Sequence, residues 1–145
     1  SELFRKLGHE PFGEMLTAEV FYDMLKKRSR QLKPLLLDQH FIAGIGNIYS
    51  DEALHKAGLH PKRLSDSLNP AESAKLLQSI RWVLHKGIDQ KGASIDWVYR
   101  GGDFQNYFQV FNQTGNPCPR CGHPIEKTKV AQRGTHFCPV CQQLP

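Results

Sequence analysis

The chain has 145 residues, which is enough for one ordinary domain or for a small domain with an accessory module. Lys and Arg number 19 against 14 Asp and Glu, and the resulting net charge of +5 favours an anionic partner. No apolar run is long enough to cross a membrane, and no signal peptide is recognisable. The sequence therefore predicts no membrane-spanning helix in this chain.

The amino-terminal third of the chain predicts a linker followed by short helices. Residues 1–16 carry Gly and Pro but few periodic apolar residues, so we interpret them as a linker. Thr17 is a suitable N-cap for a helix that continues to about Lys27. The basic run that follows includes Arg28 and Arg30, and it is either an anion-binding segment or a solvated helix end. A second helix is predicted to start at Pro34.

Two closely spaced glycines precede the next predicted helix. Gly44 and Gly46 indicate a tight turn, and Asn47 is expected to cap a helix that ends at Gly58. The first turn of that helix is expected to carry Asp51 and Glu52. Backbone N–H groups at such a helix start can hold a phosphate, but a Gly-x-Gly pair often marks only a turn.

The longest predicted helix begins at a capping box. Asn69, Pro70 and Glu72 supply the cap, a first-turn proline and an acidic residue three positions after the cap. The helix is expected to continue to about Gln90. A loop is predicted over 91–102, and the aromatic alternation of 103–111 predicts one strand.

The four cysteines of the chain all lie near its carboxyl end, in two Cys-x-x-Cys pairs separated by sixteen residues. This spacing is typical of one structural zinc ion held by Cys118, Cys121, Cys138 and Cys141. Two disulfides are the alternative. Thiols used for a metal suit a reducing compartment, so we expect a cytoplasmic protein.

A β-hairpin is predicted between the cysteine pairs. Residues 125–130 alternate as a strand does, and residues 135–137 form a short return strand. Arg133 falls in the predicted tip, either as a rigidly displayed cation or as a solvated turn residue. His136 is expected at the surface, because four thiolates already complete a tetrahedron. The predicted fold is therefore mainly α, with a helical domain followed by a small β-hairpin zinc finger.

Two segments of this sequence resemble one known family. The stretches 31–39 and 43–54 are similar to the helix-two-turn-helix region of bacterial formamidopyrimidine-DNA glycosylases. The stretches 115–122 and 132–141 are similar to the zinc finger that ends the same proteins. The resemblance covers nearly the whole chain in the family's order. It implies a helix-two-turn-helix domain over 17–111, with 91–102 as the loop over the extruded base, and a zinc finger over 112–145.

The resemblance also implies a function in base-excision repair. Members of the family flip a damaged purine, such as 8-oxoguanine or a formamidopyrimidine, out of duplex DNA and excise it. They then cleave the abasic site by β,δ-elimination through a Schiff base on an amino-terminal proline. Nothing here matches the family's catalytic amino-terminal domain. We therefore expect this chain to bind damaged or abasic duplex DNA without catalysing either reaction, most simply as a monomer.

Several residues receive roles from the resemblance. Asn47 and Lys33 are expected to hold backbone phosphate beside the lesion, together with the turn at Gly46. Arg133 is expected to grip the phosphates that flank the flipped nucleotide and to donate a proton in δ-elimination. Arg28 and Arg30 border a position at which many members contact DNA, but Ser29 occupies that position here.

Two other functions remain open on the sequence. An endonuclease VIII-like glycosylase shares this domain plan but acts on oxidised pyrimidines. A non-catalytic zinc-ribbon DNA-binding protein would use the helical part only as a scaffold.

Overall fold

A computed structural model of the chain describes residues 8–89 and 108–145. Within these residues, four α-helices come first: α1 (Ala18–Lys26), α2 (Leu32–Leu37), α3 (Asn47–Ala57) and α4 (Pro70–Asp89). The antiparallel strands β1 (Glu126–Val130) and β2 (Arg133–Phe137) follow. This order confirms the mainly α prediction with a carboxyl-terminal hairpin. The predicted loop over 91–102 lies outside the described residues.

Helices α1 and α4 both begin with the predicted caps. The Thr17 side chain accepts a hydrogen bond from the Val20 N–H at 3.1 Å. At α4, the Glu72 N–H donates to Asn69 Oδ1 at 2.7 Å, and the Asn69 N–H donates to Glu72 Oε1 at 3.0 Å. This reciprocal pair is a capping box, which satisfies two helix-end donors at once. Local sequence alone therefore fixes where these two helices start.

The start of α2 differs from the prediction. The helix begins at Leu32, with Gln31 as its N-cap, so Pro34 lies within the first turn and not at the first position. A proline is tolerated there because first-turn N–H groups have no partner within the helix. The Leu32 and Lys33 N–H groups instead donate to the carbonyls of Arg63 and Pro61, both at 2.9 Å. A tertiary contact thus sets this helix start.

One apolar core joins the four helices. Helix α4 packs against α3 and α1, and α3 also packs against α2. Phe21 and Leu25 of α1 are buried in this core with apolar residues of α2, α3 and α4. Helix α3 ends at Gly58, whose φ of +73° is a left-handed conformation that glycine adopts without strain.

Residues 8–16 pack against the helical domain, although the sequence predicted a linker there. Leu16 is buried in the helical core. The Arg81 side chain of α4 donates to the carbonyls of Pro11 and Leu16 at 2.7 and 2.6 Å. His9 forms a parallel bridge with Ile42. The described part of this segment is therefore an extension of the helical domain.

The finger has a small core of its own, made of Val110, Cys118, Ile125 and Cys138. Its two strands are joined by Ala131 and Gln132, whose φ angles of 50° and 66° form a left-handed two-residue turn. The turn is shorter than predicted, so Arg133 is the first residue of β2. Residues 108–111 are not a strand; they bend toward the finger and contribute Val110 to its core.

Candidate nucleic-acid interface and metal centre

The four cysteines converge on one point at the base of the hairpin. Their sulfur atoms all lie within 4.8 Å of one another, and none forms a disulfide. The Cys118 and Cys141 sulfurs are 3.8 Å apart, and the Cys121 and Cys138 sulfurs are 3.4 Å apart. Tetrahedral coordination with bonds of about 2.3 Å places thiolate sulfurs ~3.8 Å apart. The donor set therefore fits one structural zinc ion and not the two disulfides.

Tight turns present both cysteine pairs. The Gly122 N–H donates to the Cys118 carbonyl at 2.8 Å, with Gly122 at a φ of +80°. In the second pair, the Cys141 N–H points at Cys138 Sγ at 3.4 Å. Helix α3 also reaches this centre, because His55 Nε2 lies 3.3 Å from Cys118 Sγ. The metal centre is thus in direct contact with the helical domain.

An exposed glycine precedes α3. Gly46 and not Asn47 is its N-cap, and no side-chain capping hydrogen bond is formed there within the described residues. Gly46 is exposed, and a Cβ built on it would meet no atom within 4 Å. An uncapped helix start presents backbone donors and a partial positive charge, which together suit a phosphate.

Asn47 connects this helix start to the hairpin. Its Nδ2 donates to the Gly134 carbonyl at 3.1 Å, although the two residues are 87 positions apart. Its Oδ1 is buried without a hydrogen-bond partner in the part of the chain that the structure describes. The amide has a second N–H for another acceptor. Asn47 therefore fixes the hairpin against α3 and can still donate to a ligand.

Arg133 is the sequence neighbour of the residue that Asn47 contacts. It precedes Gly134 at the start of β2 and is exposed. The Thr135 hydroxyl donates to the Arg133 carbonyl at 3.0 Å, and Thr135 itself is buried. The backbone of Arg133 is thus held from one side while its guanidinium remains available to solvent. Asn47 and the backbone next to Arg133 thus lie at the same contact between α3 and β2.

Lys33 is not where the sequence placed it. It is fully buried and pairs with Asp51 Oδ1. Burial lowers the pKa of Lys33, the Asp51 carboxylate opposes this shift, and the nearby Arg133 charge adds to it. A phosphate cannot reach the Lys33 ammonium in this arrangement. Lys33 therefore lies behind the interface as a buried partner of Asp51.

His136 is also buried, although the sequence placed it at the surface. Its backbone N–H and its Nδ1 both lie 3.0 Å from Asp51 Oδ2. The prediction was wrong because His136 lies at the junction of the finger with α3, where it pairs with Asp51. It is not one of the metal ligands. Asp51 thus links Lys33 of α2 to His136 of β2, and the linked groups are all buried.

Glu52 forms a second attachment between α3 and the finger. Its carboxylate accepts hydrogen bonds from the N–H groups of Gln109, Val110 and Phe111 at 2.7, 2.9 and 3.0 Å. Burial raises the pKa of Glu52 to about 7, although these three hydrogen bonds act in the opposite direction. Asp51 and Glu52 therefore face the finger and do not form an acidic first turn.

Sequence reasoning missed this polar side of α3. Positions 47, 51 and 55 are four residues apart, and side chains at that spacing share one face of a helix. That spacing was the available signal. It gave no indication that the partner would be a finger more than sixty residues away in the chain.

The two basic residues after α1 are held differently. Arg28 is half-buried: it donates to the Met24 carbonyl at 2.8 Å and lies 5.1 Å from the centre of the Phe41 ring. Arg30 is exposed and pairs with Asp38 at 2.8 Å. Neither contacts Asn47 or Arg133 in any described interaction. They can extend a basic surface but are not part of the cluster at α3.

Family models match both parts of the chain. The model described as the formamidopyrimidine-DNA glycosylase H2TH domain matches residues 7–98. The chain belongs to this family. A second model, described as the zinc finger found in FPG and IleRS, matches residues 115–144. Contacts between α3 and β2 join the described parts of these two matched regions.

Similar proteins extend beyond this chain. A formamidopyrimidine-DNA glycosylase of Pelotomaculum thermopropionicum is 46% identical over 144 residues, which are 97% of this chain and 52% of that protein. One from Heliobacterium modesticaldum is 51% identical over 142 residues, which are 95% of this chain and 51% of that protein. The chain thus spans about half the length of these curated relatives.

Solved structures of family members share the fold. The Lactococcus lactis enzyme bound non-covalently to DNA containing an AP site matches with a TM-score of 0.88 and 44% identity, over 98% of this chain and 52% of that one. MutM in complex with DNA containing carbocyclic 8-oxo-G matches with a TM-score of 0.88 and 44% identity, over 98% and 53%. In the described part of this chain, no helix is long and apolar enough to span a membrane.

Proposed function

We propose that this chain is the DNA-binding half of a formamidopyrimidine-DNA glycosylase. The parent enzyme excises oxidised purines, such as 8-oxoguanine and formamidopyrimidines, and nicks the abasic site by β,δ-elimination. The matched regions of this chain are the H2TH domain and the zinc finger, and these are the parts that we propose bind duplex DNA. The names of the curated relatives support a purine-directed enzyme over one for oxidised pyrimidines.

One observation carries this proposal. Groups from distant parts of the sequence form one cluster where α3 contacts β2: the exposed Gly46 before α3, the amide of Asn47, and the exposed Arg133, which precedes the Gly134 acceptor. The Asn47–Gly134 hydrogen bond of 3.1 Å holds the cluster together. A cation beside exposed N–H donors suits a DNA phosphate, which accepts charge-assisted hydrogen bonds.

The cluster suits a phosphate next to an extruded nucleotide. Extrusion of a base rotates the sugar–phosphate backbone, so an enzyme must hold the flanking phosphates in a new position. A donor set fixed to a helix and to a zinc-held hairpin can supply that restraint without reading sequence. The known complexes of relatives with abasic-site and damaged-base DNA support this substrate class.

Arg133 also receives a catalytic role in the proposal. Its guanidinium donates a proton to the departing phosphate oxygen in δ-elimination, after the nucleophile in the other half of the parent enzyme has opened the sugar. Its exposure and its fixed backbone support this role. Lys33 acts differently, as a buried group that holds Asp51 in place.

Arg28 and Arg30 are proposed to lie on a flanking basic surface that contacts more distant phosphates. We also propose a cytoplasmic location, since a four-thiolate site suits a reducing compartment.

The test is the affinity for abasic-site duplex DNA as a function of salt concentration. Arg133→Ala should weaken binding by roughly 1–3 kcal/mol, the scale of charge-assisted hydrogen bonds. It should also lower the slope of log K against log salt by about one unit, because one phosphate contact is lost. Fluorescence anisotropy over a series of salt concentrations measures both quantities.

Two further variants control this test. Lys75→Ala removes an exposed cation of α4 and should leave affinity and slope nearly unchanged. Asn47→Ala should reduce affinity with little change in slope, since the amide is neutral. If Lys75→Ala weakens binding as much as Arg133→Ala, the attraction is diffuse and the proposed cluster is not the phosphate site.

A further inference from the structure

A histidine of the helical domain lies against the metal centre of the finger. His55 is in the last turn of α3 and is 2% exposed. Its Nε2 lies 3.3 Å from Cys118 Sγ, within hydrogen-bond range for a sulfur acceptor. A zinc-bound thiolate has no proton to give, so any hydrogen bond between these atoms must be donated by the Nε2–H.

We propose that His55 is an outer-sphere ligand of the zinc site, donating its Nε2–H to the Cys118 thiolate. Four thiolates around one divalent ion carry a formal charge of −2. In a buried setting, a donor to one of the sulfurs offsets part of that charge and orients the thiolate toward the metal. The site is therefore completed by a residue that the finger itself does not contain.

The first cysteine turn is attached to the end of α3 that carries His55. Arg120 lies between Cys118 and Cys121 and donates to the carbonyls of His55 and Lys56, the latter at 3.3 Å. These two carbonyls belong to the last turn of α3, where a cation is favourable. The imidazole and the first cysteine turn are thus attached to the same helix end.

The second cysteine turn is attached to the residue just beyond α3. Gln142 Oε1 accepts from the Cys138 N–H at 2.8 Å, and Gln142 Nε2 donates to the Leu59 carbonyl at 2.9 Å. Gln142 is fully buried. Both cysteine turns are therefore fixed to the same region of the helical domain. These attachments hold His55 and Cys118 in contact.

The affinity of the finger for zinc should therefore depend on the helical domain. A finger excised from the chain would keep four cysteines but lose the His55 donor. Loss of an outer-sphere partner typically lowers metal affinity by about 10–100-fold. The dependence is separate from DNA binding, so it can be measured on the metal alone.

The experiment compares His55→Phe with His55→Gln in the whole chain, by competition for zinc with a chelator of known affinity. His55→Phe keeps an aromatic ring but removes the donor, and it should lower zinc affinity by about 10–100-fold. His55→Gln retains an N–H donor and should recover most of that loss. His60→Phe is the matched control: His60 packs edge-on against Phe137 of the finger at 5.0 Å, and no described contact joins it to a cysteine sulfur.

Cobalt substitution gives a second readout. A donated hydrogen bond stabilises the sulfur lone pair, so its removal in His55→Phe should move the sulfur-to-cobalt charge-transfer band to longer wavelength. The band should stay in place in His60→Phe. Equal zinc affinity and an unchanged cobalt band in His55→Phe would overturn the proposal.

The unaltered chain supplies a test that does not depend on the folding of any variant. Nitrogen NMR of the zinc-loaded protein reports which ring nitrogen of His55 carries the proton. The proposal requires a protonated Nε2. With an NMR-active cadmium isotope in place of zinc, that proton should also show a coupling to the metal through the sulfur. An unprotonated Nε2 would overturn the assignment whatever the variants do.

Discussion

The side of α3 that faces the finger and the exposed amino-terminal end of the same helix use polar groups in opposite ways. Asp51, Glu52 and His55 are buried and have partners across the junction. Gly46, which precedes α3, and Arg133, at the start of β2, are exposed. Both carboxylates of α3 are thus used inside the protein, and neither presents its charge to a phosphate. The exposed surface at this end of α3 is therefore basic partly because the acidic residues of the helix are buried elsewhere.

Removal of zinc should have the largest effect on both regions of α3. Structural zinc contributes on the order of 10 kcal/mol to the folding of such sites. The Cys-x-x-Cys pattern alone suggests an independent module, but loss of the finger would also expose Asp51 and Glu52 on α3. We expect a chelator to unfold the hairpin and to lower the melting temperature of the helices, as followed by far-ultraviolet circular dichroism. Identical helix melting with and without zinc would show that the two parts are independent.

Asp51→Asn tests the junction itself. It leaves Lys33 buried without its counter-charge, which typically costs about 3–5 kcal/mol of stability. Equilibrium urea unfolding measures the loss, and adding Lys33→Met should restore part of it. Asp23→Asn is the matched control, because Asp23 pairs with Lys27 at 3.8 Å on the surface and should contribute less than about 1 kcal/mol. Equal effects of the two Asn variants would contradict a special role for Asp51.

The raised pKa of Glu52 predicts that the stability of the chain depends on pH. Its pKa is raised to about 7 in the folded chain from an ordinary value of 4.5. The folded state therefore holds this proton more tightly, and its stabilising effect is complete below pH 4.5 and lost as the pH rises through 7. The loss is of order 3 kcal/mol, from about 1.4 kcal/mol per pKa unit.

The difference between the parent chain and Glu52→Gln isolates this effect, because other groups titrate equally in both. The unfolding free energy of the parent relative to the variant should fall between pH 5 and pH 7. A difference that is constant over this range would contradict the raised pKa.

The smallest expected effect concerns the exposed surface. Arg30 pairs with Asp38, and the two side chains are 46% and 29% exposed. Arg30→Ala should change the unfolding free energy by less than about 1 kcal/mol. If Arg30 contacts a phosphate as proposed, the salt slope of DNA binding should still fall by about one unit. An unchanged slope would remove Arg30 from the interface.

Features set by neighbouring residues could be predicted from the sequence. The caps at Thr17 and Asn69 and the two cysteine turns each depend on groups within four residues, and the structure confirms them. The expectation that Asn47 and Arg133 both contact phosphate came from the family resemblance and not from local patterns. The structure adds the Asn47–Gly134 hydrogen bond, which joins α3 to β2 next to Arg133.

The errors concern residues whose partners are distant in sequence. Lys33 was expected to contact a phosphate because of the family resemblance, and His136 was expected at the surface because four thiolates already complete the zinc site. Each is buried because Asp51 satisfies it, from 18 and 85 positions away. No single segment contains that information. The start of α2 was misplaced for the same reason, since its first N–H groups bond to the carbonyls of Arg63 and Pro61.

The two-residue turn of the hairpin also constrains which genetic changes the chain can accept. Ala131 and Gln132 are exposed and supply only a left-handed backbone, so glycine or asparagine could replace either of them. A one-residue insertion or deletion is different, because successive strand residues point to opposite faces. It would either turn Arg133 away from the start of α3 or shift Gly134 away from Asn47. Drift in length at this turn should therefore be far rarer among functional descendants than drift in residue type.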